Sequence, residues 1–352
     1  MKEKLKSWWG RLPRIPEGQR TKLLWIVLGA AMLGLVVMPL IPFQQRALTV
    51  RIIAYSGLYI ILGLGLNVVV GLAGLLDLGY VAFYAIGAYT YALLASGFFA
   101  IHISFWALLP LAALLAALAG ILLGIPVLRM RGDYLAIVTL GFGEIIRILV
   151  TNLTGLTNGS QGIIGIDRPS LFGLELKSGT HFYYLILLII ILLVTMTQRL
   201  NNSRIGRAWI ALREDEDAAQ MVGVNTTLYK LLAFAVGAFI GGLGGAIFSA
   251  WQGSIFPDNF NLMVSINVLC LIIIGGMGSI PGVIIGSFAL IALPDILRAF
   301  SEYRLLLFGL LLIIMMIARP EGFIPSRRRQ LELHGKEEAP SAPATPSAEG
   351  DT

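Results

Sequence analysis

Residues 213–224 read REDEDAAQMVGV, and four consecutive acids, Glu214, Asp215, Glu216 and Asp217, stand in a chain of which only 13% is charged. Carboxylates at that density could hold a metal, shuttle protons or meet a partner's surface. A metal site is not expected, because His102, His181 and His334 lie far apart. No nucleophile–base pair suggests itself elsewhere. Neither G-x-x-x-x-G-K-[ST] nor H-E-x-x-H occurs, so the chain cradles no ATP by a P-loop and carries no zincin motif. The single cysteine, Cys270, excludes an intramolecular disulfide and reads as a small buried apolar residue. The chain is expected to be neither an enzyme nor a cofactor or metal binder.

A second group of polar residues lies inside apolar runs. In YLAIVTLGFGEIIRILV, Glu144 and Arg147 fall three apart on one helix face. A lone charge at the bilayer centre costs roughly 2.5–3.5 kcal/mol on insertion scales. Pairing lowers that cost, so the two form a simple ion pair or face a water-filled pathway or subunit interface. Asp77, in GLAGLLDLGY, caps a helix near the inner face or lines the pathway. Asn67 and Asn267 are further pathway candidates, or interhelical hydrogen-bonders.

The elements that position these groups are membrane helices. The 352 residues are 57% hydrophobic, with mean hydropathy +0.82, which is a multi-span composition. About 20 apolar residues cross the hydrocarbon, which predicts spans near 24–42, 52–70, 76–96, 105–127, 134–151, 182–198, 229–251 and 262–279. Shorter apolar runs at 283–297 and 304–318 are short helices or a re-entrant pair. The expected fold is all-α and polytopic, with about eight to ten transmembrane helices. The first run is expected to be a retained span rather than a cleaved signal, with Trp8 and Trp9 as an interfacial anchor.

Placing the N-terminus in the cytoplasm puts nineteen Lys and Arg residues inside and six outside, with Arg147 in a span. Both termini and the 199–229 loop are therefore expected to be cytoplasmic. The net charge of +6 follows from this topology and not from nucleic acid binding. The expected organisation is a basic N-terminal segment 1–22, a membrane domain 23–325 and a Pro/Ala/Ser-rich disordered tail 326–352. In RGD, 131–133, Asp133 is expected to cap the next helix. Gly237, Gly241 and Gly245 form a small-xxx-small stripe suited to close helix packing or sliding. The long loops 152–181 and 199–229 are candidate contact surfaces.

Within 203–224, Ala218 and Ala219 favour helix and Gly223 can end it. A short helix with an acidic start and a small-residue face suits a partner's groove. The string Asp217-Ala218-Ala219-x-x-x-Gly223 resembles the EAA loop of ABC importer permeases, the helix that seats in a cleft of the ATP-binding subunit. Two departures stand out: Asp217 replaces the usual Glu, and AFAV occupies 233–236 where I-x-L-P often follows. The segments GLAGLLDLGYVAFYAIGAYTYALL (71–94), RGDYLAIVTLGFGEIIRILVTNLTGLTNGSQGI (131–163), IIIGGMGSIPG (272–282) and ARPEGFIP (318–325) resemble the branched-chain amino acid permease family, and specifically its M-type subunit.

The resemblance covers roughly residues 50–325. It implies a subunit of the bacterial inner membrane that imports leucine, isoleucine and valine. The implied partners are an H-type permease, two ATP-binding subunits, a periplasmic substrate-binding protein and membrane lipid. It also implies that Arg213, Glu214, Asp215, Glu216, Asp217, Ala218, Ala219 and Gly223 couple to the ATPase, and that 152–170 faces the binding protein. A urea or short-chain amide permease shares most of these motifs. An ion-coupled secondary transporter is a rival of another class. It would need no ATPase-docking helix and would show paired helix breaks, of which the Gly-rich stretches 71–79 and 275–282 are a faint sign.

Overall fold

The computed structural model describes residues 46–97, 103–127, 130, 132–171, 174–175, 179–292, 306, 309–310, 313 and 322–324. The basic segment 1–22, the span at 24–42, most of the run 304–318 and the tail 326–352 lie outside the described residues. Contacts divide the chain after Val50, within the first described helix; the packing described below is that of the unit that begins at Arg51.

Helices dominate, because a backbone in hydrocarbon must satisfy its own donors and acceptors. In chain order they are α1 (Arg46–Leu66), continued by a π-helical turn (Asn67–Leu72), α2 (Val81–Leu94), α3 (Phe105–Val127), α4 (Asp133–Asn152), the short α5 (Thr154–Thr157), α6 (Gly179–Asn201), α7 (Arg204–Glu214), α8 (Glu216–Met221), α9 (Thr226–Gln252), α10 (Leu262–Gly275) and α11 (Ile280–Ser287). Among the described residues six segments are long and apolar enough to cross a membrane: Val50–Leu72, Phe105–Val127, Asp133–Asn152, Gly179–Asn201, Thr226–Gln252 and Pro257–Gly275. Val81–Leu94 and Ile280–Ile291 are shorter apolar helices.

The expected span at 76–96 is therefore corrected. Its helix has 14 residues, about 21 Å at 1.5 Å per residue, too short to span alone. Residues 73–80 are irregular because they turn back into the protein. A second correction concerns Asp133. It is the first residue of α4, the N-cap is Gly132, and no side chain caps that end.

The core is built around α9, which packs on α3 and α2. Its two small-residue faces explain this. Ala112, Ala113, Ala116 and Gly120 of α3 are buried, whereas Leu114, Leu118 and Leu122 on the opposite face are exposed. Small residues let backbones approach where lipid offers no hydrophobic drive.

The loops gather at two ends. At one, β1 (Ile163–Ile164) pairs antiparallel with β4 (Ser254–Ile255), and Asp167 N–H donates to the Ala95 carbonyl at 2.7 Å. Ser170–Leu171 and Leu174–Glu175 form a small hairpin, β2–β3. At the other, α7–α8, the turn 73–80, the loop 276–279 and residues 322–324 meet.

Candidate functional site: an exposed acidic helix and the turn beneath it

Ser203 caps α7 by accepting from Gly206 N–H at 3.3 Å. The amphipathic α7 buries Trp209 and Leu212. The Trp209 indole donates to the Tyr229 carbonyl at 2.8 Å, pinning α7 to the start of α9. At Asp215 the chain is extended (φ −156°, ψ 114°), and its carboxylate accepts from Asp217 N–H at 2.9 Å and Ala218 N–H at 3.0 Å. That cap starts α8. Gly223, at φ 87°, follows its end, in the left-handed conformation that costs glycine least.

The eight residues singled out here divide between two faces. Glu214, Asp215, Asp217, Ala218 and Gly223 are exposed. Ala219 is buried, and Glu216 pairs with the buried Lys230 of α9. Arg213 turns inward: its Nη1 donates to the Gly71 carbonyl at 2.8 Å. Sequence reasoning passed over Met221 and Val222, which are 87% and 79% exposed. The available signal was their spacing of four from Asp217 and Ala218, which puts them on the same helical face.

Beneath this lies the turn 73–80. Its donors are met by side chains, as a buried irregular backbone requires. Leu78 N–H donates to Thr139 Oγ1 at 3.0 Å, Gly79 N–H to Asp77 Oδ1 at 2.9 Å, and Val81 N–H to Ser265 Oγ at 2.9 Å. Thr139 lies six residues into α4, about 9 Å from its start, so the turn reaches well inside the helices. Asp77 is fully buried, and its Oδ2 has no hydrogen-bond partner among the described residues. It braces its own turn and caps no helix, since the N-cap of α2 is Tyr80. Asn67, also buried, accepts from Gly278 N–H at 2.8 Å, while its Nδ2 has no such partner. The two glycine-rich breaks therefore meet: a Cβ built on Gly278 would sit 3.2 Å from the Gly71 oxygen.

Glu144 and Arg147 form an ion pair at 2.9 Å and are each about one-third exposed. They lie on α4, the least buried of the six long helices, beside exposed Ile145, Ile148 and Leu149. Asn267 is half-buried on α10.

The family described as "Branched-chain amino acid transport system / permease component" matches residues 48–317. The chain belongs to this family. The permease is 46% identical over 315 residues to the "High-affinity branched-chain amino acid transport system permease protein LivM" of Salmonella typhimurium, covering 83% of this chain and 73% of that protein. It is equally similar to the Escherichia coli protein of the same name. It is also 25% identical to LivH of Escherichia coli, over 76% of this chain and 91% of that one. No solved structure matches it significantly. The permease is a multi-pass membrane protein of a transport family, not of an enzyme class.

In the permease the glycine stripe of α9 lies against three neighbours. A Cβ on Gly237 would fall 2.4 Å from Val69, one on Gly241 3.1 Å from the Tyr80 hydroxyl, and one on Gly245 2.1 Å from the Tyr84 carbonyl. Among the described residues no group of three His, Cys, Asp or Glu side chains could hold a metal ion.

Proposed function

We propose that the permease is the M-type half of the membrane channel of an ATP-driven importer of branched-chain amino acids, in the inner membrane of a bacterium. The observation that carries this reading is the 46% identity to two LivM proteins over 83% of the chain. The weaker likeness to LivH along most of the length supports pairing with a second permease of the same fold. In this reading 199–229 faces the cytoplasm, and α8 with Asp217, Ala218, Met221 and Val222 seats in an ATP-binding subunit. An exposed apolar pair one turn after the exposed Asp217 is the composition of a groove-filling helix. The Glu144–Arg147 pair, about one-third exposed, would face the second permease or the pathway rather than lipid, because a charge in hydrocarbon is costly. The opposite end, with β1–β4, would receive a periplasmic binding protein. ATP would be hydrolysed by the partner subunits.

The test is affinity purification of the full chain from its native host under mild detergent, with mass spectrometry of what accompanies it. Reconstitution of that material with its binding protein follows, with labelled leucine and labelled urea offered separately. The expected result is a second permease, two ATPases and ATP-dependent leucine uptake. Urea uptake would replace the substrate, and ion-driven transport by the chain alone would overturn the reading.

A further inference from the structure

Arg213 occupies a place that docking alone does not explain. It lies one residue before the acidic run, yet its guanidinium points away from the exposed face and onto the end of a membrane helix. The last carbonyls of a helix have no partner within the helix itself. At the end of the π-helical turn the C-cap Ala73 N–H donates to Val68 O and Leu75 N–H donates to Val69 O. The Gly71 carbonyl is met by Arg213. A cation at a helix C-terminus interacts favourably with the dipole as well as with the oxygen. The Arg213 stem lies so close to Gly74 that a Cβ there would come within 2.6 Å of its Cγ. Gly74 has φ 72°, so this is a turn that glycine permits both by conformation and by space.

The contact extends further. The Gly71 oxygen also lies against Gly278, whose N–H is held by Asn67, one turn before Gly71. The end of α10, from which the 276–279 loop leaves, is in turn held by residues 322–324, through Phe323 N–H to Ile274 O at 2.7 Å and Ile324 N–H to Gly275 O at 3.0 Å. Arg213, Gly71 with Asn67, and Gly278 thus bring three distant segments to one point. Directly after Gly71 comes the buried turn that carries Asp77.

We propose that Arg213 is the positioning residue through which movement of α8 reaches the membrane interior. Its hydrogen bond to Gly71 sets the end of α1 and the depth of the 73–80 turn. This rests on the importer reading above. The α7–α8 segment is fixed to α9 by Trp209–Tyr229 and Glu216–Lys230, so displacement of α8 moves Arg213 with it. Withdrawing the guanidinium frees the Gly71 carbonyl and loosens the seam with Gly278, and the turn can then shift.

The test uses the full complex with its ATPases and binding protein in liposomes, comparing wild type, Arg213→Gln and Arg213→Met. Gln retains an amide NH2 donor without the charge, and Met retains length without a donor. In Arg213→Met, the ATPases are expected to co-purify as in wild type and to hydrolyse ATP, while leucine transported per ATP falls by about tenfold, within the range of coupling between sites. Arg213→Gln should fall between the two. Wild-type transport per ATP in Arg213→Met overturns the inference. If that variant fails to accumulate, hydrogen exchange on the wild-type complex decides. Trapping the ATPases with vanadate should change exchange at 71–79 and 276–280 but not at 163–166, and unchanged exchange at the first two overturns the inference. A wild-type chain that brings down no ATPase instead overturns the importer reading, and this inference with it.

Discussion

Lys230 of α9 is buried, with its ammonium against the carboxylate of Glu216 in α8. A buried cation needs that partner, so the acidic run is not a uniform solvent face. One of its four carboxylates is used to attach α8 to the membrane domain. Glu216→Ala should leave Lys230 unpaired and lower stability by about 1.5–3 kcal/mol, as expected for a hydrogen bond to a charged group. The double variant Glu216→Ala/Lys230→Met should recover part of the loss, because it removes the stranded charge. Thermal unfolding in detergent, followed by fluorescence, reads both. Wild-type melting of Glu216→Ala would show that the pair contributes nothing.

Met221 and Val222 are exposed enough that Met221→Asp should alter the isolated chain's stability by no more than about 0.5 kcal/mol. If they fill a partner's groove, the same change should cost more than about 2 kcal/mol of docking, near thirtyfold in affinity. Pull-down of the ATP-binding subunits against chain yield checks this. Asp217→Lys should act in the same direction by reversing charge on the same face.

The Asp77 carboxylate supports its turn with one oxygen and leaves the other without a partner among the described residues. Asp77→Asn keeps the acceptor for Gly79 N–H and removes a buried acid, so its melting temperature should match or exceed wild type. Asp77→Ala strands that N–H and should cost about 1–3 kcal/mol. The comparison of the two melting curves separates hydrogen bonding from charge.

Gly245→Ala would place its Cβ 2.1 Å from the Tyr84 carbonyl oxygen, where α9 and α2 meet backbone to backbone. It should cost at least about 1–3 kcal/mol through overpacking and reduce the yield of monodisperse protein. Gly141→Ala, with nothing within 4 Å, should be neutral or gain up to about 1 kcal/mol of helix propensity. Size-exclusion profiles and melting of the pair report whether packing or propensity governs.

The sequence by itself determined the class of the molecule and the locations of its long helices. Hydrocarbon demands unbroken apolar runs, and 105–127 coincides with α3 while 134–151 and 229–251 fall within a few residues of α4 and α9. It also determined where α8 starts and ends, since Asp215 and Gly223 act on neighbouring backbone. Tertiary structure alone decided the span at 76–96. Its apolar composition suits a full crossing, but the chain folds inward at 73–80 because Thr139 and Ser265, on other helices, supply the acceptors an irregular backbone lacks. Tertiary structure also divided the residues of 213–223. Adjacent charges look alike in a string, and only packing against α9 and α1 turned Glu216 and Arg213 inward. The meeting of Gly71 with Gly278 belongs to the same class: spacing shows that glycines permit close approach, and the partner is chosen by segments two hundred residues away.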